Sequence, residues 1–319
     1  MDDQTVTHKA CRSFAVPDVI LLATDLEDDL DHLLPHAEAQ ARASNAVLKL
    51  VHVIPPAESI ALDAKAILPA DAAEVEHQAK RKLAVIAARM RARAIECDVL
   101  VRRGSPAIVV PELVKETGAN RLVLGTHGRR HLKKFILGSV ANEILRKVDI
   151  PVCTVGPHVP GTPEEAPQKL LHPVSLAVGC EQSARIALEI AQFYKAAITL
   201  LHVLPRDVNR DYESSQILDW TRAELNRLIP EEAPLWIHPT VQIEVGTVVE
   251  QILNVAEEMQ ADLIVLGVDP SERHGSIDRD DTAYEIITQA KCPVLTLRRY
   301  ASEQDSGKER ERTAQPQSR

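Results

Sequence analysis

Apolar residues along this chain gather in short unbroken runs, separated by longer stretches of helical character. In the first half the runs are Val19–Ala23, Val47–Ile54, Cys97–Val101, Arg121–Leu124 and Pro151–Val155. Between them lie helix-like stretches at Leu30–Ala43, Ala72–Arg93, Ala107–Thr117 and Val140–Lys147. A run that is apolar at every position, not at alternate ones, suits a strand covered on both faces. Strands alternating with helices predict a parallel, doubly wound α/β sheet with right-handed crossovers. The same succession is expected in the second half, with strands at Val174–Val178, Ala197–Leu204, Val241–Val245, Leu263–Leu266 and Val294–Leu297.

The second half repeats the first. Ile150-Pro-Val-Cys-Thr-Val matches Cys292-Pro-Val-Leu-Thr-Leu, and the pairs Pro151/Pro293, Gly125/Gly267 and Gly104/Gly246 are each 142 residues apart. Nearer the start, Val51-His52-Val53 matches Leu201-His202-Val203 at a spacing of 150. Order and spacing together indicate a duplicated domain, and the period is far too long for a solenoid of small units. The expected division is a loose amino terminus over 1–15, a first domain over 16–157, a linker over 158–172, a second domain over 173–300 and a polar tail over 301–319. Five prolines between Pro157 and Pro173 favour an extended linker.

Composition narrows the classes of function. A length of 319 residues suits two domains, and 45% apolar content lets each bury a core. Only 3% of residues are aromatic, so aliphatic side chains must fill that core. The formal net charge of −9 argues against a nucleic-acid or anionic-membrane surface. No apolar stretch approaches the roughly 20 residues of a membrane-spanning helix. The start, Met1-Asp-Asp-Gln-Thr, lacks the basic and apolar regions of a signal peptide. Five scattered cysteines with no C-x-x-C pair suit a reduced compartment, so a cytoplasmic location is expected. Cys153 and Cys292, beside prolines in strand-like runs, read as small buried hydrophobes.

One segment carries chemistry. From Gly125 the chain reads Gly, two residues, Gly128, nine residues, Gly138-Ser139, with a strand-like run before it and a helix-like run after. Glycines let the main chain approach an anion, and the unpaired N–H groups of a helix start point at it. The pattern therefore suggests a phosphate seat, hence a nucleotide. Arg129, Arg130, Lys133 and Lys134 lie in the loop; they are either solvated or neutralise a polyphosphate. Ser139 also suits a plain helix cap, and Asp25 a turn after a strand. The cluster Glu27-Asp28-Asp29-Asp31 opens a helix, where acids suit the dipole. His127 and His131 lack a third ligand at suitable spacing for a metal.

Ala23-Thr-Asp25, His52-Val53, the Gly125/Gly128/Gly138-Ser139 pattern and the closing Ile-Pro-Val strand together resemble the universal stress protein family. The repeat extends that resemblance over nearly the whole chain. It implies two tandem doubly wound domains, each with a five-stranded parallel sheet. It implies ATP, bound by one subgroup of the family and carried with Mg²⁺, and a role in surviving stress. Position by position, it implies that Asp25 contacts the ribose or adenine side and that Val53 holds the adenine through its backbone. Gly125, Gly128, Gly138, Ser139 and Val140 would surround the phosphates, with Arg129 among the neutralising charges. In the family the fifth strands pair subunits; here Pro151–Val155 and Pro293–Leu297 are expected to pair the two domains, leaving a homodimer of the chain open.

The second copy departs from the pattern. At the spacing of 142, Gly128 becomes Pro270, Gly138 becomes Asp280, Ser139 becomes Asp281 and Val140 becomes Thr282; Asp25 is matched to Gly179. A proline removes a donor from the turn. A carboxylate about 4 Å from a phosphate costs on the order of 4 kcal/mol at an effective dielectric near 20. Micromolar affinity amounts to only about 8 kcal/mol, so two such contacts would erase it. ATP is therefore expected in the first domain alone. No Walker loop, pyrophosphatase-type Ser-Gly-Gly loop or nucleophile elbow occurs. Catalysis is at most a slow ATPase or self-phosphorylation, and an ATP-independent interaction scaffold is the alternative.

Overall fold

The computed structural model describes residues 14–26, 30–56, 72–126, 137–160, 166–177, 179–206, 212–268 and 282–298. The first lobe runs β1 (Val19–Ala23), α1 (Leu30–Ser44), β2 (Val47–Ile54), α2 (Ala72–Ala92), β3 (Cys97–Arg103), α3 (Pro106–Thr117), β4 (Arg121–Gly125), α4 (Ser139–Lys147) and β5 (Val152–Val155). The second runs β6 (Lys169–Pro173), α5 (Cys180–Tyr194), β7 (Ala197–Leu204), α6 (Tyr212–Arg227), β8 (Pro239–Val245), α7 (Val248–Glu258), β9 (Leu263–Val268), α8 (Thr282–Gln289) and β10 (Val294–Arg298). A short 3₁₀ turn, Ala233–Leu235, precedes β8.

Local chemistry explains the boundaries. Helix α3 starts on Pro106, whose missing N–H is not needed in a first turn. It stops at Gly118, whose φ of 67° lets its N–H reach back to the carbonyls of Lys115 and Val114. Gly104 and Gly246 hold φ of 138° and 157° at equivalent turns after β3 and β8. A Cβ on Gly104 would also meet Val109 at 2.9 Å.

The ten strands of the described residues form one sheet in the order β3-β2-β1-β4-β5-β10-β9-β6-β7-β8. Each lobe contributes five parallel strands. The join is antiparallel, with Val294 opposite Thr154 and Thr296 opposite Val152. Threonine hydroxyls strap it: Thr154 Oγ1 donates to the Val294 carbonyl at 3.0 Å, and Thr296 Oγ1 to that of Val152 at 3.3 Å. Arg298 adds an ion pair to Asp149 at 3.0 Å. Alternate strand residues face opposite layers. Ile20, Leu22, Leu48 and Leu50 pack on one side, Leu21, Val51 and Leu122 on the other. Burying each such leucine stabilises by roughly 1.5–3 kcal/mol, which fits a chain with so few aromatics.

One expected strand is misplaced. The second lobe begins with β6 at Lys169–Pro173, not at Val174–Val178, so β6 occupies residues read as linker. Pro173 closes that strand, and its fixed φ and missing N–H are tolerated at a strand end. The register shows the equivalence. Val174 N donates to Leu201 O at 2.8 Å, as Thr24 N donates to Val51 O at 2.9 Å. The spacing of 150 therefore holds from β6 through β7, and the counterpart of Asp25 is Ser175, not Gly179. Gly179 instead precedes α5, with φ 84°.

Candidate functional site

In the first lobe the strand order turns back between β1 and β4, which pair in parallel with Ala23 opposite Leu124. Chains leaving these two strands diverge to opposite faces and open a crevice at their carboxyl ends, where doubly wound folds take ligands. Asp25 stands two residues beyond β1, half-buried, and Gly125 ends β4. The turn around Asp25 is held by its neighbours. Thr24 Oγ1 accepts from Leu26 N at 3.0 Å, and Leu26 takes a left-handed φ of 64°. His52 Nδ1 donates to the Thr24 carbonyl at 2.9 Å.

Val53 is buried in β2, opposite Arg102 of β3. It has the same parity as Val51, whose carbonyl accepts from Thr24 N. Its main-chain groups therefore face the β1 side, past the last residue of β1, toward the crevice.

Gly138 N donates to Thr126 O at 2.7 Å, and Thr126 N in turn donates to Val155 O at 3.2 Å. Gly138 is the N-cap of α4, and its carbonyl accepts from Asn142 N at 2.9 Å. Ser139 and Val140 form the exposed first turn. Amides of a first turn have no acceptor within the helix and carry the positive end of its dipole, so they can serve an anion. Ser139 makes no capping bond, because Gly138 holds the cap position. Asp25, Val53, Gly125, Gly138, Ser139 and Val140 thus lie around one crevice. Gly128 and Arg129 fall outside the described residues, as do Glu27, Asp28, Asp29, His127 and His131. Among the described residues no group of three or more potential ligands could hold a metal ion.

A contact invisible to pattern reading joins the lobes here. Leu137 N donates to the hydroxyl of Tyr284 at 3.0 Å. Tyr284 is a buried residue of α8, so the second lobe holds the residue just before the cap of the first lobe's α4. Its only sequence signal was a tyrosine on an otherwise apolar helix face.

The equivalent crevice of the second lobe is built differently. Ser175 replaces Asp25, and beneath it His172 and Ser183 are buried where the first lobe has Leu22 and Leu33. His172 Nδ1 donates to Val265 O at 2.7 Å, and Ser183 Oγ donates to Cys180 O at 3.0 Å. Gly267 matches Gly125, but a Cβ there would meet Ser183 at 2.9 Å; packing alone accounts for that glycine. Pro270, Asp280 and Asp281 lie outside the described residues, and Thr282 is the first residue of α8.

The family model for the universal stress protein family matches twice, over residues 18–156 and 167–298. A universal stress protein from Methanocaldococcus jannaschii is 23% identical over 150 residues, covering 43% of this chain and 93% of that protein. Universal stress protein G from Shigella flexneri is 30% identical over 129 residues, covering 39% and 87% respectively. These relatives are half-length, as a duplicated chain requires. Over the whole molecule, the crystal structure of a universal stress protein from Archaeoglobus fulgidus superposes with a TM-score of 0.67, covering 89% of this chain and 99% of that one at 18% identity. One from Pseudomonas aeruginosa gives 0.59, covering 90% and 95% at 17% identity. No helix among the described residues is long and apolar enough to cross a membrane. With both halves matched in sequence and the two-lobed fold matched in structure, the chain belongs to the universal stress protein family.

Proposed function

We propose that this chain binds ATP, carried with Mg²⁺, in its first lobe alone, and that the bound nucleotide regulates contacts with a partner during stress. What supports this reading is the placement of Asp25 and Gly125 at the carboxyl ends of β1 and β4, the exposed first turn at Ser139 and Val140, and the backbone of Val53 on the β1 side of β2. Main-chain donors at a helix start suit phosphates without the cationic surface that a charge of −9 disfavours. Gly128 and Arg129 complete the proposed phosphate turn. The acid-for-glycine exchange at Asp280 and Asp281, with Ser175 for Asp25, supports leaving the second lobe without nucleotide. That lobe then serves as partner to the first. The β5/β10 join supports treating the chain as a dimer-like unit made from one polypeptide. No residue is assigned to catalysis, and a cytoplasmic location accompanies this reading. Mass spectrometry of small molecules that copurify with the intact chain tests it. ATP is expected with wild type and absent with Gly138→Asp; equal ATP in both would refute the assignment.

A further inference from the structure

Two pairs of helices flank the β5/β10 seam. On one face the residue before the cap of α4 is tied to α8 by the Leu137–Tyr284 bond. On the other, α1 and α5 leave a cavity of about 410 Å³, whose wall includes Ala39 and Gln40 of α1, Tyr194 of α5, and Val159 and Pro160 of the connection. The volume falls in the range of ligand pockets, about 300–1,000 Å³.

Arg121, the first residue of β4, lines this cavity and is 1% exposed. Among the described residues it makes no ion pair. Its Nη1 donates to Gln40 Oε1 at 3.1 Å, and its Nη2 to the Phe14 carbonyl at 2.9 Å. Among the described residues its Nε has no partner, nor has the hydroxyl of Tyr194 on the same wall, which is 7% exposed. The tyrosine lies close enough to favour the charged guanidinium without forming a bond of good geometry. Cys153, Tyr194 and His36, which share the lining with the guanidinium, bring no negative charge. Burial raises the Cys153 and Tyr194 pKa values and lowers that of His36 to about 4, so all three are neutral near pH 7. Asp262, also on the lining, is exposed and accepts from the amides of Gln168 and Lys169. Lys291 is paired with Glu257.

The fold does not require this charge. In the second lobe Leu263 stands in place of Arg121 and Ile190 in place of Gln40. A buried guanidinium without a carboxylate is costly, and an apolar residue of similar volume is usually tolerated as well or better. A ligand that supplies the missing negative charge would offset the cost.

We propose that the cavity between α1 and α5 is a second ligand site, which takes a small organic carboxylate whose head group lies on Arg121 and Tyr194. One positive charge matches one carboxylate, and the planar guanidinium edge with a nearby hydroxyl suits its two oxygens. A phosphate dianion would ask for more donors than this wall offers. Ala39, Cys153, Val159 and Leu295 give the cavity an apolar patch suited to the body of the molecule. The site is separate from the proposed nucleotide crevice and stands or falls independently of it.

Thermal melting of the intact chain with sodium benzoate, against sodium phosphate and sodium chloride at matched ionic strength, tests the proposal. Benzoate should raise Tm by about 2–3 °C at roughly ten times its dissociation constant. Gly138→Asp should keep this rise and Arg121→Leu should lose it. No rise above chloride, or a rise that persists in Arg121→Leu, would overturn the site. A larger rise with phosphate, removed by Arg121→Leu, would overturn the carboxylate assignment. Should Arg121→Leu fail to fold, crystals of the wild-type chain soaked in 4-iodobenzoate decide. An anomalous peak between α1 and α5 supports the proposal; a peak elsewhere only, or none, refutes it.

Discussion

In the first lobe Gly138, Ser139 and Val140 open α4 beside Asp25; in the second the corresponding residues are Asp280, Asp281 and Thr282, and Ser175 stands in place of Asp25. The lobes otherwise share strand order and even the strained glycine turns Gly104 and Gly246. Their buried polar residues are where they part. The first lobe places Arg121 and Gln40 at the seam, against Leu263 and Ile190. The second places His172 and Ser183 beneath its crevice, against Leu22 and Leu33. Apolar positions preserve the frame, and the polar exchanges mark where each lobe's chemistry has been changed. A retained glycine is ambiguous by comparison, since Gly267 is needed for packing on Ser183 whether or not a phosphate comes near.

The largest expected effect comes from making the first lobe resemble the second. Gly138→Asp should lower ATP affinity by about a thousandfold, the factor for one carboxylate costing roughly 4 kcal/mol beside a phosphate. Its melting temperature should hardly move. Gly138 has an ordinary φ of −57°, and aspartate is a good N-cap. Titration calorimetry paired with a melting curve checks both halves; equal loss of affinity and stability would mean that the variant simply unfolds.

The contact between lobes gives the next effect. Tyr284→Phe leaves the buried Leu137 N–H without its acceptor, which costs about 1–3 kcal/mol of stability. If that bond steadies the start of α4, ATP affinity should fall several-fold as well, while Asn142→Ala at the equivalent position of α4 should not loosen the second lobe. Chemical denaturation and fluorescence titration of the full chain separate the two consequences. Unchanged affinity in Tyr284→Phe would confine the tyrosine to a packing role.

A pH effect sharpens the comparison at the seam, where His36 stands in the first lobe and Ile186 at the equivalent position of the second. His36 donates through Nε2 to the Pro160 carbonyl at 2.9 Å, and burial lowers its pKa to about 4. Below pH 6.5 the unfolded chain takes up a proton that the folded chain refuses until about pH 4. Stability therefore falls as pH drops through that window and is regained as pH rises, by about 3 kcal/mol in all. His36→Gln should flatten this slope in melting temperature against pH; an unchanged slope would assign the acid sensitivity elsewhere. The smallest effect is expected from Ser175→Asp, which restores one residue of the second lobe against its acidic helix start. Calorimetric stoichiometry should stay at one ATP per chain.

Most of the frame was legible in the sequence because burial on both faces leaves uninterrupted apolar runs, and duplication shows each run twice. The first strand of the second lobe was not. Its run, Lys169-Leu-Leu-His-Pro, carries a histidine and a proline, and the run beside it, Val174–Val178, looks more strand-like. His172 is nonetheless fully buried, because its ring finds the Val265 carbonyl. The proposed nucleotide crevice could be read from spacing, since glycines, a cap and a loop aspartate are local signals. Tyr284 and Arg121 could not, because their significance depends on what faces them from 147 and 81 residues away, Leu137 and Gln40.

Crystals of the full chain grown with Mg-ATP bear most directly on the division between the lobes. One triphosphate per chain is predicted, with its phosphates against the Ser139 and Val140 amides and its sugar toward Asp25. Density at the start of α8 beside Ser175, with the first crevice bare, would contradict it.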